Sequence, residues 1–275
     1  MSSESPSTPD LDELVTSLNA ELGCADLPDY DGAWNGLQLA NRSGRVSRIA
    51  AAVDASLPAF KKAVASGADL LLVHHGMFWQ GVQPLTGAAF EKISLAMENN
   101  LAVYSAHLPL DAHPRLGNNA LLARALGEDL AIVEAAPQEN PDLPAGWRPC
   151  FDYKGLSVGL KAGVEIPLED LLNRASKAVG GSVHCCAAGP NPVRRLAVVT
   201  GGAGSEVGRM PVERVDTLIT GEGPHWSYSM AEELGVNVLY AGHYATETFG
   251  VRALAQWLAD QHGLPWQFID HPTGL

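Results

Sequence analysis

The sequence is short of basic residues, and this shortage argues against nucleic acid as its main partner. Its 275 residues include 18 Lys and Arg against 31 Asp and Glu, which gives a formal net charge of −13. A strongly acidic surface repels phosphate backbones, so we expect no stable complex with DNA or RNA. A small nucleotide is still compatible with this charge as a substrate, because bound cations can invert the local field.

Long apolar segments are also missing. No run is long enough to span a bilayer, so we expect no membrane association. The opening segment, MSSESPSTPD, has neither a basic region nor an apolar stretch, so we expect no signal peptide and a cytoplasmic protein. The four cysteines show no CxxC spacing, which is typical of reduced thiols in a cytoplasmic chain.

Short apolar segments alternate with helical patterns along most of the chain. The segments that we interpret as strands include RIAAAVDA (48–55), DLLLV (69–73), LAVYSA (101–106), RRLAVVT (194–200), VDTLIT (215–220) and VNVLYA (236–241). A final helix is predicted from about residue 245 to residue 261. Strands that alternate with helices predict an α/β fold with largely parallel sheets.

Two segments of unusual composition suggest the domain organisation. Residues 1–9 are rich in Ser and Pro and are expected to form a mobile tail. Residues 134–148 contain three prolines and no periodicity, which is typical of a linker. We therefore predict a first α/β lobe over residues 10–133 and a second over residues 149–275.

The two lobes share a weak internal repeat. ADLLLVHHGMFW (68–79) and NNLAVYSAHLPLD (99–111) resemble VDTLITGEGPHW (215–226) and VNVLYAGHYATE (236–247). His107 and His243 occupy matching positions, and an acidic residue follows each of them four residues later. We favour duplication over chance similarity, because a glycine and a tryptophan after the first strand of each pair also match in order.

His74 and His75 follow a buried strand directly. Successive strand side chains point to opposite faces, so two adjacent histidines chelate one ion poorly but can each hold a different ion where the strand ends. An isolated His-His pair is more often one core and one exposed histidine. The pair therefore indicates two metal ions only together with other ligands.

Asp111 and His107 lie in HLPLD, where Pro109 makes a regular helix unexpected, so we place both residues in a loop. Asp111 offers a hard anionic ligand, although aspartate is also common in turns. His107 fits a ligand, a proton shuttle or a hydrogen-bonded core residue, and the sequence does not separate these roles.

His243 and Glu247 give the sharpest signal. They follow a strand at the start of the final helix, and the i, i+4 spacing puts both side chains on one helical face. A glutamate in a first helical turn is also favoured by the helix dipole without any metal. Glu222, in TGEGPHW, is a candidate acid, base or substrate contact.

Together these residues predict a two-metal site formed by His74, His75, Asp111, His243 and Glu247. In open parallel sheets ligands bind beyond the carboxyl ends of strands, so two lobes that face each other would bring both sets of residues to one cleft. Mixed N and O ligands suit Zn, Mn, Fe, Co or Ni without selecting among them. Two ions that share a bridging hydroxide make hydrolysis the natural reaction, with His107 or Glu222 moving protons.

Six motifs resemble a known family over nearly the whole chain. They are WNGLQL (34–39), LLVHHGMFW (71–79), HLPLDAHPRLGNN (107–119), TGG (200–202), ITGEG (219–223) and GHYATETFGVRALAQWL (242–258). Their order and spacing resemble the short bacterial form of the dinuclear metal-centre family known from a yeast NGG-interacting factor, "NIF three". Many bacterial members carry the name GTP cyclohydrolase 1 type 2 homologue.

The resemblance implies the same five metal ligands, with Glu247 touching both ions, and two α/β lobes. It also implies a ring-shaped homohexamer. The cyclohydrolase name implies metal-assisted attack on the purine imidazole ring of GTP. We therefore predict a small nucleotide as the substrate.

Two other functions stay open at this level. The chain could be a non-enzymatic metal-binding oligomer that stores ions or docks a partner. It could also be a nucleotide-binding regulator that uses GGAGS (201–205), a segment that resembles a phosphate-binding loop but lacks the P-loop lysine.

Overall fold

A computed structural model describes residues 8–81, 83–127, 129–134 and 140–275 of the chain. The chain divides into two compact units. The first runs up to Leu110 and also includes Val251–His271, and the second consists of Asp111–Gly250 and Pro272–Leu275. Within the described residues, no helix combines the length and apolarity that crossing a bilayer would need.

The first unit is built on a five-stranded sheet with the order β1-β4-β3-β2-β12. Its strands are β1 (Gly36–Leu39), β2 (Ile49–Asp54), β3 (Leu70–His75), β4 (Ala102–Ser105) and β12 (Trp266–Phe268). Its helices are α1 (Leu11–Leu22), α2 (Leu57–Ala65), α3 (Gly87–Glu98) and the C-terminal part of α9 (His243–His262). All neighbouring strands pair in parallel except β1 and β4.

The central strands of this sheet are buried on both faces. In β2 the first five residues, IAAAV, are buried, and in β3 the same holds for LLLVH. Near-continuous apolar runs of this kind are typical of parallel strands covered by helices on both sides. The polar side chains of Asp54 and His75 come last in their strands, so the chemistry-bearing residues lie at the carboxyl edge of the sheet.

The second unit contains a seven-stranded sheet in its described residues, with the order β5-β7-β9-β10-β11-β8 and β6 paired to β7. Its strands are β5 (Ile132–Glu134), β6 (Arg148–Tyr153), β7 (Leu156–Ile166), β8 (His184–Ala187), β9 (Val193–Val198), β10 (Thr217–Thr220) and β11 (Asn237–Tyr240). Its helices include α5 (Asn118–Ala125), α6 (Leu168–Val179), a 3₁₀ helix (Ala203–Arg209), α7 (Met210–Glu213) and α8 (His225–Leu234). Helix α4 (Leu108–Asp111) contains the boundary between the two units.

The α/β prediction is confirmed, and the expectation of largely parallel sheets holds for the first sheet but not for the second. Only β9, β10 and β11 pair in parallel there, whereas β5, β6, β7 and β8 join by antiparallel pairing. The β6–β7 hairpin turns through Lys154 and Gly155, with φ values of 51° and 92°. Two successive positive φ values suit the right-handed twist of a tight hairpin.

The division into units corrects the predicted domain boundary. The sequence prediction separated two consecutive lobes at a linker over residues 134–148. Of that segment the structure describes residue 134 and residues 140–148, and Trp147 is buried in the core of the second unit. At the other end of the chain, β12 pairs with β2 and Ile269 packs in the first core. Of the predicted tail, residues 1–7 lie outside the described residues.

A second correction concerns HLPLD. We expected a loop there, but Leu108–Asp111 forms one helical turn. Pro109 occupies its second position, where the backbone N–H that proline lacks would have no partner within the helix. The turn directs the chain from β4 to Asp111.

The internal repeat corresponds to the same local topology in both units. β3, α3 and β4 form a parallel β–α–β unit, and so do β10, α8 and β11. In each case a histidine follows the second strand, namely His107 after β4 and His243 after β11. The structure thus agrees with the sequence alignment of the two halves.

Candidate metal centre

Three histidines of the first unit meet at the carboxyl edge of its sheet. His74 and His75 end β3, and His107 follows β4, the parallel neighbour of β3. One ring nitrogen of each histidine lies within 4.8 Å of those of the other two. His107 therefore belongs to the same side-chain cluster as the two predicted ligands.

Each of these rings is held by an oxygen acceptor at Nδ1. The pairs are His74 Nδ1 with Ala106 O at 2.9 Å, His75 Nδ1 with Asp54 Oδ1 at 2.8 Å, and His107 Nδ1 with Asp29 Oδ1 at 2.7 Å. Carbonyl and carboxylate oxygens only accept, so Nδ1 must carry the proton and donate it. In the neutral ring the lone pair then lies on Nε2, the atom that can bind a cation.

The two adjacent histidines do not point to opposite faces as expected for a regular strand. Their ring centroids lie 4.8 Å apart. His74 donates to the segment after β4, whereas His75 donates to Asp54 at the end of β2 on the other side. The neighbouring strands thus orient the two rings, and both fall within the cluster.

Asp29 organises the loop beside this cluster. Besides His107, its carboxylate accepts hydrogen bonds from Leu108 N at 2.9 Å, Asn35 Nδ2 at 2.8 Å and Tyr30 N at 2.7 Å. Burial alone would raise the pKa of Asp29, but these bonds and the nearby His107 outweigh burial and lower it. The carboxylate is therefore held ionised against the imidazole.

Sequence reasoning missed both carboxylates that hold these histidines. Asp54 could have been found, because it is the last residue of a strand and lies at the same edge as His75. Asp29 had no such signal, since it lies in an irregular loop and meets His107 only through the fold.

The second unit contains the other predicted pair. His243 is the first residue of α9, and its Nε2 lies 3.1 Å from Glu247 Oε2 at spacing i, i+4. Its Nδ1 lies 2.8 Å from Glu222 Oε1. Burial opposes protonation of His243, but Glu247 and Glu222 outweigh it and raise its pKa to about 9. A cation bound at Nε2 would replace a proton that two carboxylates otherwise stabilise.

Gly201 lets the chain pass close to this pair. Its φ is +69°, and a Cβ at this position would collide with Glu247 Oε1. Its N–H donates to Thr246 Oγ1 at 3.1 Å, and the N–H of Gly204 donates to Glu222 O at 2.9 Å. Two amides of GGAGS are thus used within the protein, which weighs against the phosphate loop considered from the sequence.

Asp111 is buried in the second unit, with 7% of its surface exposed. Its Oδ1 accepts hydrogen bonds from Asn118 Nδ2 at 2.8 Å and from Thr200 Oγ1 at 3.3 Å. These two partners were not predicted from the sequence, although both lie within motifs that carried the resemblance. These two hydrogen bonds fix the orientation of the carboxylate.

The structure therefore places the predicted residues in two sets. His74, His75 and His107 lie in the first unit, and Asp111, His243, Glu247 and Glu222 lie in the second. Imidazole nitrogens held at Nδ1, together with buried carboxylates, are a donor set suited to divalent transition metals. The predicted assignment of five of these residues to one dinuclear centre stays a prediction.

A cavity of about 360 Å³ lies in the second unit beside Glu222. Its lining includes His184, Pro224, His225, Tyr228 and Tyr240. The Glu222 side chain is 43% exposed, although it also holds His243. A molecule in this cavity would therefore be within reach of a carboxylate.

Comparison with known proteins identifies the family. The family model described as Duf34/NIF3 (NGG1p interacting factor 3) matches residues 9–273. The chain belongs to the DUF34/NIF3 family. The resemblance found in the sequence motifs is thereby confirmed.

Related DUF34/NIF3 proteins match nearly the full length of the chain. A protein of Deinococcus radiodurans named GTP cyclohydrolase 1 type 2 homolog is 40% identical over 266 residues, or 96% of this chain and 94% of its own. A protein of Escherichia coli with the same name is 35% identical over 263 residues, or 95% of this chain and 98% of its own. The crystal structure of TTHA1606 from Thermus thermophilus is 37% identical, with a TM-score of 0.79, and covers 97% of this chain and 100% of its own.

Proposed function

We propose that the chain is a metal-dependent hydrolase whose dinuclear centre is formed by His74, His75, Asp111, His243 and Glu247. One observation carries it: three of these histidine rings, and His107 with them, are held at Nδ1 by an oxygen acceptor. Such orientation is typical of metal-ligating histidines.

Burial supports the proposal further. His74, Asp111 and Glu247 are each less than one-tenth exposed. Burying several ionisable groups is costly unless they are paired or coordinate a cation. When bound, two divalent ions would supply Lewis acidity and lower the pKa of a water molecule.

His107 and Glu222, the two predicted catalytic residues, differ in what they can do. The His107 side chain is 9% exposed and its Nδ1 donates to Asp29. We therefore propose that His107 helps to orient the rings of the histidine cluster. Glu222 is more exposed and borders a cavity, so we propose that its carboxylate transfers protons to or from substrate.

The names of the relatives suggest the substrate class. We propose a small nucleotide, with hydrolytic opening of its purine ring, because proteins at 35–40% identity carry the name GTP cyclohydrolase 1 type 2 homolog. The formal charge of −13 disfavours a large polyanion in place of this small substrate.

Elemental analysis and turnover together test the proposed function. We expect about two transition-metal ions per chain, as in two-metal hydrolases, and hydrolysis of a nucleotide in a screen with metal-loaded protein. Glu247→Ala should lose both bound metal and turnover, whereas Glu165→Ala, a change in β7 outside the proposed ligand set, should keep both. Turnover that survives Glu247→Ala would contradict the mechanism.

The same experiment distinguishes the proposed hydrolase from the alternative, non-enzymatic function. A metal-binding oligomer without catalysis would load about two ions reversibly and hydrolyse none of the nucleotides. We extend the proposal to a homohexamer in the cytoplasm.

A further inference from the structure

Four aromatic side chains of the first unit form a surface beside the histidine cluster. We call Tyr30, Trp34, Phe78 and Trp79 the aromatic platform. The Trp79 ring centroid lies 4.7 Å from that of His107 and 5.5 Å from that of His75. The platform therefore begins at the candidate metal ligands.

The platform is unusually exposed for its composition. Trp34 is 64% exposed, Tyr30 50% and Trp79 36%. Large aromatic side chains contribute most to stability when buried, so three exposed ones on two loops joined by hydrogen bonds indicate a binding surface. Trp34 meets Phe78 edge to face at an interplanar angle of 71°, and Tyr30 is tilted by 52° against Trp79, so neither pair is stacked face to face.

Hydrogen bonds fix the two loops that carry the platform. Gln38 Nε2 donates to Trp34 O at 2.9 Å, and Gln38 Oε1 accepts from Met77 N at 2.7 Å. Gly76 leaves room for this bridge, because a Cβ there would collide with the Gln38 side chain. The Trp34 loop and the loop after β3 are thus joined before any ligand arrives, which lowers the entropic cost of binding.

The backbone at Trp34 is held in a costly conformation. Its φ is +46°, a value that glycine and asparagine adopt readily and that a bulky side chain rarely adopts. The ring is mostly exposed, so burial offers little compensation for this cost. Strain retained at an exposed aromatic residue is typical of a position kept for binding.

The charge around the platform favours a neutral ligand group. Asp31 is exposed between Tyr30 and Trp34 in sequence, and Asp29 holds His107 as an ionised carboxylate. These two carboxylates would repel a phosphate but not the face of a planar ring, and cations bound at the histidine cluster would attract the phosphates of the same substrate to the metal side of the platform.

We propose that the aromatic platform binds the planar, uncharged heterocyclic ring of the substrate by stacking and holds it beside the histidine cluster. This inference rests on the proposed function, because it assumes that the protein has a substrate. It adds which group of the substrate is recognised and which residues recognise it. Trp34 is a specificity-determining residue in this arrangement, because a large part of its ring is open to a ligand.

The aromatic side chains around the cavity near Glu222 are less suited to this role. There the His184 ring stacks on Tyr228 at an interplanar angle of 29° and on Tyr240 at 26°. Stacking among these rings already covers part of their faces. In the first unit, Trp34 is 64% exposed, so most of its ring is open to a ligand.

Equilibrium binding of nucleosides tests the platform without requiring turnover. We would measure binding of guanosine, adenosine and uridine to the full-length, metal-loaded protein by calorimetry, with ribose as the ligand that lacks a ring base. The test variant is Trp34→Asn, since asparagine tolerates the positive φ and should preserve the fold. Trp34→Tyr keeps an aromatic ring, and Phe90→Ala removes a similarly exposed ring, 60%, from α3 outside the platform.

We expect saturable binding of at least one nucleoside and none of ribose. Trp34→Asn should weaken nucleoside binding about 5- to 100-fold, as loss of one stacked ring does, while Trp34→Tyr restores most of it and Phe90→Ala changes nothing. Wild-type affinity in Trp34→Asn, or no saturable binding of any of the three nucleosides, would overturn the inference. Metal content and turnover measured on the same samples judge the proposed function separately, because ring binding can persist where hydrolysis is absent.

Discussion

The histidines of this chain differ in which ring nitrogen holds the proton, and that difference indicates their role. His75 donates from Nδ1 to a carboxylate, which leaves Nε2 as the ligand atom. His113, also in a family motif, does the reverse, because its Nδ1 accepts from Arg115 N at 3.2 Å and from Leu116 N at 3.0 Å. His113 therefore stabilises a turn, the position that the neighbouring Pro114 indicates in the sequence.

Loss of the carboxylate behind His75 should weaken metal binding without removing a ligand. Asp54→Asn keeps an oxygen that can accept from Nδ1 but removes the charge that makes the imidazole a stronger donor. We expect Zn²⁺ affinity to fall about 10- to 100-fold, as for other residues that orient a ligand. Competition with a chelator of known affinity measures the change.

The matched control for this substitution is Asp129→Asn. Asp129 is an exposed carboxylate that pairs with Arg174 at 2.7 Å, so it shares the charge change but lies outside the histidine cluster. Its Zn²⁺ affinity should equal that of the unmodified chain. An unchanged affinity in Asp54→Asn as well would mean that His75 is not a ligand or needs no orientation.

Gly201 is the backbone position on which the second set of ligands depends most directly. Gly201→Ala would place a Cβ against Glu247 at a positive φ, so we expect the metal bound by His243 and Glu247 to be lost. The free energy of unfolding should also fall, by about 1 kcal/mol or more, since alanine is strained at positive φ. Metal content and thermal unfolding give the two readouts.

Gly67→Ala separates these two effects. Gly67 has a φ of +75° and no atom within 4 Å of a built Cβ, so it carries the same backbone strain without a collision. It should lose stability but keep its full metal content. Equal metal content in both variants would contradict the close approach of Gly201 to Glu247.

At the level of helices and strands, local sequence patterns predicted the elements well. They did not predict which distant strands pair. Helix α9 begins two residues before the predicted start. The turn at Lys154–Gly155 was not predicted, because its signal is only two residues long. Antiparallel pairing of β7 with β9 depends on contacts between distant segments, which periodicity does not report.

Burial of Trp147 distinguishes a core segment from an open linker at residues 140–148. Its side chain is 6% exposed and packs with the second core. Trp147→Ala should therefore lower the free energy of unfolding by about 3–5 kcal/mol, the usual cost of a large cavity. A residue in an open linker would change it by less than about 0.5 kcal/mol.

Urea unfolding followed by circular dichroism gives this free energy. Trp226→Ala is the matched control, because that tryptophan is 48% exposed. It should unfold at nearly the same urea concentration as the unmodified chain. If Trp147→Ala behaved like this control, the packing of residues 140–148 in the second unit would be wrong.

For the whole molecule, the sequence predicted a duplication but not how the chain is distributed between its units. The two β–α–β units were found by aligning short motifs, because both keep the same strand ends. That the last strand returns to the first sheet was not predicted, because β12 is three residues long and its partner β2 lies far away in sequence. The predicted ligands thus fall in two units, each of which is discontinuous in sequence.

Self-association is the prediction that belongs to this scale. Each copy carries a formal charge of −13, so neighbouring copies repel one another unless salt screens them. The repulsion extends over about 8 Å at 0.15 M ionic strength and over about 30 Å at 0.01 M. For the proposed homohexamer, sedimentation at the higher ionic strength should give six times the 29.0 kDa chain mass. At the lower ionic strength, repulsion between copies should produce smaller species. A neutral solute at matched osmolality should leave the low-salt species unchanged, whereas a single-chain mass under both conditions would rule out the homohexamer.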